Sequence, residues 1–503
     1  YQAMTQKQLV IGLGESGVAM VRYATRSSTP VSVYDSRQSP AALPAFTQRY
    51  PDVTVHCGDF SADYLDGVSE VLLSPGLSPH AEPLKTIIEQ ANARGIAVLG
   101  ELAVFSRALS ELHAHNGYNG YKPKVLAVTG TNGKTTVTSL TRHLCEAAGV
   151  SVLAAGNISP SMLDALCGAL EQDALPQVWV LELSSFQLQF AQSNAIGFNP
   201  DAATVLNLSQ DHLDWHVDMV EYTQAKAQVF GADTVQVLNR DDAAVNAMAK
   251  PNSRVLSFGV SVPTAVGQYG LWREGNHSAA TMEWLSVAVA DESGVEKKKR
   301  GQAEVVAPIS VQRLMPTDAL RIRGRHNAMN ALAALALCRA IDLPLAKLLH
   351  GLRDYAGEPH RVQWIQNVNG VDFYDDSKGT NVGATLAAIE GLGQPIVLIA
   401  GGDGKGQDFT PMTDAVKAHV RFVCLIGKDA DTIAQAWQGT GVAMQSFDTL
   451  ESATLHAAQN AQSGQAVLLS PACASLDMFK NYAHRAEVFV STVREWAQDC
   501  GQI

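Results

Sequence analysis

A chain of 503 residues, 46% apolar and 17% charged, is too long for one ordinary core and is expected to divide into about three or four units. Its formal charge of −12 argues against a general nucleic-acid binder, and no apolar run approaches the ~18 residues of a membrane span. Seven scattered cysteines without a CxxC suit reduced, buried thiols, and residues 1 to 20 lack a signal-peptide pattern, so a cytoplasmic location is expected.

Residues 1 to 102 alternate short apolar runs, at 9–13, 31–34, 53–56 and 71–73, with longer mixed segments, which predicts a small parallel-sheet domain. Its first turn, Gly12-Leu13-Gly14-Glu15-Ser16-Gly17, is a GxGxxG. Asp35 ends the second strand at the distance of a ribose-binding acid, and Ser74-Pro75-Gly76 turns at the sheet's carboxyl edge. A nucleotide-shaped ligand is implied. The fingerprint alone reads as NAD, and a plain tight turn is the alternative.

Residues 113–123, rich in Gly, Asn and Tyr and without periodicity, read as a surface loop at the start of a second domain. The apolar run 124–128 then leads into Gly130-Thr131-Asn132-Gly133-Lys134-Thr135-Thr136 and a helix to about 148. In such a strand, loop and helix the glycines turn backbone N–H groups toward phosphates, the lysine reaches the terminal phosphates and the threonine hydroxyl meets the metal, so ATP is the expected ligand. Val128 stands where the usual first glycine would be, which makes this the compact form of the loop.

Glu182 follows the strand 178–181 and places a carboxylate near the phosphate loop, as a metal ligand would be. Asp211-His212-Leu213-Asp214, after the run 203–208, reads either as a second source of Mg²⁺ ligands or as a capping and packing device. Alternating runs at 279–287 and 303–311 suggest an antiparallel excursion, with the basic run 296–300 as a solvated hairpin tip. An alanine- and leucine-rich helix over 327–341 stops at Asp342-Leu343-Pro344. The last domain is expected from Gly357-Glu358-Pro359, with strands at 396–400, 422–426 and 466–469 whose near-continuous apolar runs fit a sheet covered on both faces.

The order of Gly130 to Thr136, Leu181-Glu182-Leu183-Ser184-Ser185-Phe186-Gln187, Asp211-His212-Leu213-Asp214, Gly324-Arg325-His326-Asn327 with Asn330, and His360-Arg361 resembles the Mur ligase family over nearly the whole chain. Asp375-Asp376-Ser377-Lys378-Gly379-Thr380-Asn381, Gly401-Gly402-Asp403-Gly404-Lys405 and the segment 469–477 look like its D-glutamate-adding branch, and the Asp-Asn-Pro-Arg signature of the diaminopimelate- or lysine-adding branch is missing from the last domain. The resemblance implies an α/β protein of three domains. These are a Rossmann-like UDP-binding domain over 1–102, a central P-loop ATPase-type domain over 103–356 and a Rossmann-like amino-acid-binding domain over 357–503. The implied reaction adds D-glutamate to UDP-N-acetylmuramoyl-L-alanine through an acyl phosphate, in a monomeric, cytoplasmic enzyme with no nucleic-acid or membrane partner.

The same resemblance assigns residues. Gly14, Ser16, Ser36, Arg37, Ser74 and Gly76 lie by the uridine and diphosphate, so that the GxGxxG holds UDP and not NAD, and Asn157 and His212 approach the muramoyl-alanine end. His326 and Asn330 flank the adenine, Asp376 holds the ribose, and Arg361 joins the ATP site. Thr135 and Glu182 hold one Mg²⁺ and His212 the other, with Lys134 adding positive charge. Lys226, on composition alone a surface lysine of a helix, matches the lysine the family carries as a carbamate, a charge reversal that nearby Mg²⁺ favours. His360 and Arg361 orient the incoming amine and carboxylates or the transferred phosphate. Lys378, Lys405, Ser475, Leu476 and Tyr482 take the glutamate, although the glycines before Lys405 also read as a strand-ending turn.

Overall fold

The structure is a computed structural model and describes residues 7–40, 42–75, 77–158, 160–190, 197–208, 218–273, 282–291, 308–404 and 406–502. The chain packs as two compact units, Tyr1–Phe258 with Ala333–Leu348, and Gly259–Leu332 with Leu349–Ile503.

In the first unit, β1 (Lys7–Ile11), β2 (Val31–Asp35), β3 (Thr54–Cys57), β4 (Val68–Leu73) and β5 (Ala97–Gly100) form a five-stranded sheet in the order β3-β2-β1-β4-β5. Every pairing in it is parallel. Right-handed crossovers through helices are what such an order requires. The second sheet contains β6 (Lys124–Thr129), β7 (Val152–Gly156), β8 (Val178–Glu182), β9 (Ala202–Val205), β10 (Val235–Asn239) and β11 (Val255–Phe258) in the order β11-β10-β9-β6-β8-β7, again parallel throughout. From β6 the chain goes to the edge strand β7, returns to β8 beside β6, and then crosses to β9 on the other side. In open α/β sheets ligands sit at such a reversal, here the carboxyl ends of β6, β8 and β9.

One core joins the two sheets, because the helix Glu101–Ala114 between them buries Leu102, Val104 and Phe105. The Phe105 ring meets the edge of Trp179 on β8 at 5.2 Å. Across the same seam Arg22 bonds Asp164 at 2.5 Å and Glu171 at 2.6 Å. The expected loop at 113–123 starts later than the composition suggests, since that helix runs on through His113 before a short 3-10 turn at Asn116–Tyr118.

The second unit opens with the antiparallel strands β12 (Gln268–Arg273), β13 (Glu283–Ala290) and β14 (Ile309–Pro316). The excursion is therefore present, but its strands lie a few residues later than the alternation at 279–287 and 303–311 placed them. Cross-strand pairing of Trp272 with Trp284 and of Leu285 with Met315 sets the ends. The basic run 296–300 lies outside the described residues. A six-stranded sheet follows from β15 (Gln363–Val368), β16 (Val371–Asp375), β17 (Ile396–Gly401), β18 (Val420–Ile426), β19 (Ala443–Ser446) and β20 (Ala466–Leu469), in the order β15-β16-β20-β17-β18-β19. Only the β15–β16 pair is antiparallel. β17 and β20 are buried along their whole length, as their apolar runs predicted.

All seven cysteines are free thiols, but two are not buried: Cys57 ends the edge strand β3 and Cys500 follows the last helix, where packing on one side is lacking. Among the described residues no helix is long and apolar enough to cross a membrane.

Candidate active site

The phosphate loop leaves β6 at Thr129. Gly133 sits at φ +83° as the residue before the helix Lys134–Ala147, a conformation that disfavours any side chain, and it lets the helix start with its N–H groups pointing into the loop. The loop is braced by the segment that follows β9, since Thr131 N donates to Asn207 O at 2.9 Å and Asn132 N to Asn207 Oδ1 at 2.8 Å. Asn207 Nδ2 donates back to Asn132 O at 3.1 Å. Lys134 Nζ folds over the loop and donates to Gly130 O and Thr131 O, each at 2.9 Å. The cation is thereby held inside the loop.

Glu182 ends β8 beside Val128 and is 2% exposed. Its Oε1 accepts from Asn157 Nδ2 at 3.0 Å, whereas its Oε2 has no hydrogen-bond partner among the described residues. A buried carboxylate oxygen left unpaired is costly unless a cation or a donor meets it. The donor set fits Mg²⁺, a hard cation that takes one or two protein oxygens and completes its shell with water and phosphate oxygens. The described residues contain no cluster of three or more His, Cys, Asp or Glu able to hold a metal. The segment after Glu182 owes its signature to local structure as well: Ser184 and Gln187 form a capping box at the helix Ser185–Gln189.

Lys226 lies on the helix Met219–Ala227 and is 2% exposed, so the composition-based reading as a solvated lysine fails. Tertiary packing overrides it. Nζ donates to Gly130 O at 3.0 Å and Thr129 Oγ1 at 3.3 Å, and lies 4.8 Å from the centre of the Tyr222 ring. Tyr222 Oη is 3.0 Å from Thr131 Oγ1. Lys134, Thr135, Glu182, Asn157 and Lys226 thus gather at the carboxyl ends of β6, β7 and β8. Asp211, His212 and Asp214 lie outside the described residues.

At the carboxyl edge of the first sheet, Gly17 is required by close approach, since a Cβ there would stand 1.9 Å from Gly12 O. Asp35 is 3% exposed and both its oxygens are occupied. Leu13 N donates to Oδ2 at 2.8 Å, and Arg37 supplies N and Nε to Oδ1, each at 2.9 Å, and a guanidinium N to Oδ2 at 2.7 Å. These bonds, Arg37 first, hold the carboxyl down to about 2. A carboxylate so engaged has no free oxygen for the ribose of NAD, which removes the physical basis of that reading. Gly14, Ser36 and Arg37 are exposed beside it, Ser16 is half-buried, and Ser74 Oγ donates to Gly12 O at 3.2 Å; Gly76 lies outside the described residues.

The second unit collects the remaining residues. Asp375 ends β16 and is fully buried; its Oδ2 lies 2.7 Å from His360 Nδ1 and its Oδ1 accepts from Ser377 N at 2.9 Å. Asp376 accepts from Val362 N at 3.1 Å and Ser470 Oγ at 2.7 Å. Burial raises its carboxyl to about 7, against the opposing pull of Ser470 and the Arg361 guanidinium. The Lys378 ammonium lies 5.9 Å from the centre of the Tyr482 ring. Ser475 is buried, while Leu476 and Tyr482 are exposed. Lys405 lies outside the described residues. Asn330 Nδ2 donates to Asn327 Oδ1 at 3.1 Å, and the His326 ring packs so closely on Gly391 that a Cβ there would fall 1.7 Å from Nδ1; loss of water lowers the imidazole to about 4.

Arg485, which no sequence motif includes, is 1% exposed on the helix Tyr482–Asp499. Its guanidinium donates to Ser377 Oγ and O at 3.0 and 2.7 Å and to Cys473 O at 3.1 Å, tying the 375–381 and 470–476 segments together. No spacing in the sequence marks it. Tyr222, by contrast, had a signal: it lies four residues before Lys226 and so shares its helix face.

Comparison with known proteins bears on all three parts of the chain. Family models match residues 6–100 (Mur ligase MurD-like, N-terminal domain), 128–338 (Mur ligase middle domain) and 360–473 (Mur ligase, glutamate ligase domain). A UDP-N-acetylmuramoylalanine--D-glutamate ligase of Burkholderia thailandensis is 54% identical over 500 residues, covering 98% of this chain and 97% of that protein. The chain belongs to the Mur ligase family. The ligase of the same name from Burkholderia pseudomallei is equally similar. Among solved structures, MurF of Thermotoga maritima in complex with ADP is similar at a TM-score of 0.55 and 13% identity, covering 99% of each chain. The UDP-N-acetylmuramate-alanine ligase MurC of that organism is similar at 0.51 and 17%, covering 98% of this chain and 99% of that one. These two likenesses bear on the fold, a three-domain α/β Mur ligase architecture.

Proposed function

We propose that this Mur ligase joins D-glutamate to UDP-N-acetylmuramoyl-L-alanine with hydrolysis of ATP, a step of peptidoglycan precursor synthesis. The observation that carries the reading is 54% identity, over nearly the full length, to ligases of that name. A carboxylate is a poor electrophile, so the γ-phosphoryl group of ATP first passes to the alanyl carboxylate; the amine of D-glutamate then displaces phosphate. Both partners of the first step are anionic. Lys134 in its cradle, with the loop N–H groups from Gly130 to Thr136, offsets that charge.

Thr135, Glu182, His212 and Lys226 as a carbamate would hold two Mg²⁺ ions, and the unpaired Glu182 Oε2 supports the first of these sites. When bound, Mg²⁺ supplies Lewis-acid neutralisation of the transferring phosphoryl group. Gly14, Ser16, Ser36, Arg37, Ser74 and Gly76 bind the UDP moiety, Asn157 and His212 the muramoyl-alanine end, and His326, Asn330, Arg361 and Asp376 the nucleoside of ATP. Lys378, Lys405, Ser475, Leu476 and Tyr482 receive D-glutamate, their cations matching its two carboxylates. The domains divide at about 102 and 356, and the enzyme acts as a cytoplasmic monomer.

The test is phosphate release from ATP, expected only when UDP-N-acetylmuramoyl-L-alanine and D-glutamate are both present. Equal release with neither acceptor, or an equal rate with L-glutamate, would refute the assignment.

A further inference from the structure

We infer that His360 is the general base that deprotonates the incoming amine and that Asp375 positions it; the inference rests on the ligase reading above. His360 Nδ1 lies 2.7 Å from Oδ2 of the fully buried Asp375, whose other oxygen is fixed by Ser377 N. An anionic partner of this kind takes the Nδ1 proton as a hydrogen bond, selects the tautomer with its lone pair on Nε2, and stabilises the imidazolium once a proton arrives there. Nε2 has no hydrogen-bond partner among the described residues, and the His360 side chain keeps 26% of its surface open. It has both a proton-accepting atom and access to a ligand.

The backbone is arranged to the same end. His360 has φ +64° and the β-branched Val362 has φ +40°, two left-handed residues that bracket Arg361. Such strain persists only where neighbours over-determine it, and it clusters at functional sites. Here His360 N donates to Gln363 Oε1 at 3.1 Å, Lys378 N donates to His360 O at 3.1 Å, and Val362 N is held by Asp376. The proposed glutamate residues adjoin it: the Tyr482 ring meets the imidazole at 6.1 Å, and Ser377 Oγ donates to Tyr482 O at 2.7 Å. The charged groups around the imidazole are Asp375 at the end of β16 and Asp376 after it, Lys378 behind them, Arg361 and Glu358 on its own segment, and Arg485 on the last helix.

D-Glutamate arrives as an ammonium and has no nucleophilic lone pair until it loses a proton. His360 Nε2 accepts that proton, the nitrogen attacks the acyl carbon, the C–N bond forms and the C–O bond to phosphate breaks. The second nitrogen proton leaves with the phosphate. Hydroxylamine, which is largely neutral at assay pH, attacks an acyl phosphate without a base and therefore separates this step from phosphoryl transfer.

The experiment compares His360→Gln and Asp375→Asn with the wild-type full chain, using ATP, UDP-N-acetylmuramoyl-L-alanine and either D-glutamate or hydroxylamine. His360→Gln is expected to lower the D-glutamate rate by about 100-fold or more and hydroxamate formation far less. Asp375→Asn is expected to lower kcat with D-glutamate by about 10-fold or more, through the wrong tautomer, with KM for D-glutamate little changed. The ratio of the D-glutamate rate to the hydroxylamine rate, taken on one and the same protein sample, is a readout independent of the variants' folding. Equal losses with both nucleophiles would overturn the inference. Failure of the wild-type protein to form any hydroxamate would instead refute the acyl-phosphate reading, and the inference with it.

Discussion

Glu182→Gln should make the protein more stable and less active at once. The carboxylate is 2% exposed, one oxygen is paired to Asn157 and the other is unpaired among the described residues. A glutamine keeps the Asn157 bond through its carbonyl and replaces a desolvated charge by a neutral amide, whose own unpaired N–H is less costly to bury. The difference is about 1–2 kcal/mol in favour of the variant, or roughly 2–6 °C in apparent Tm for a unit of this size. Magnesium and a non-hydrolysable ATP analogue should reverse the order: at a hundredfold excess over Kd they stabilise the wild type by about 2.7 kcal/mol and the variant much less. Turnover should fall by about 100-fold or more. Thermal unfolding with and without the Mg²⁺-analogue pair, beside a phosphate-release assay, measures all of this. A variant less stable than the wild type without ligand, or equally stabilised by the pair, would show that Glu182 is a structural carboxylate and not a metal ligand.

Lys226→Ala should abolish turnover and recover part of it with formate or acetate, which fit the space vacated beside Gly130; full activity without either anion would dismiss the carbamate. Asp376→Asn should flatten the pH dependence of stability. The native carboxyl is raised from 3.8 to about 7, so the native form binds more protons than the unfolded one in that interval, and stability is fully present below about pH 4 and is lost as the pH rises through 7. The loss is about 4 kcal/mol, and urea midpoints at pH 5 and pH 8 that move together in the wild type would contradict it. Gly17→Ala brings a Cβ 1.9 Å from Gly12 O, a backbone atom that cannot swing aside. It should destabilise by about 2 kcal/mol or more and raise KM for the UDP substrate with KM for ATP unchanged, as initial rates would report.

Much of the fold was legible because parallel strands buried on both faces write themselves as short apolar runs, and glycine loops mark the strand ends. β17, β18 and β20 lie where such runs predicted, and the phosphate loop connects strand to helix as its glycines and lysine require. The excursion at β12 to β14 was legible in kind but not in register, because alternation alone does not say which cross-strand partner ends a strand.

The amino-acid sequence by itself determined the family, the order of the sheets and the glycine-rich loop between β6 and its helix, since these depend on local backbone geometry and on motifs contiguous in the chain. Only the tertiary structure decided that both oxygens of Asp35 are taken by Leu13 and Arg37, that Lys226 lies buried against the phosphate loop, that His360 meets Asp375, and that Arg485 meets Ser377 and Cys473. Each is a contact between segments distant along the chain or a matter of solvent exclusion. Desolvation and long-range pairing depend on what surrounds a side chain, and that is set by packing.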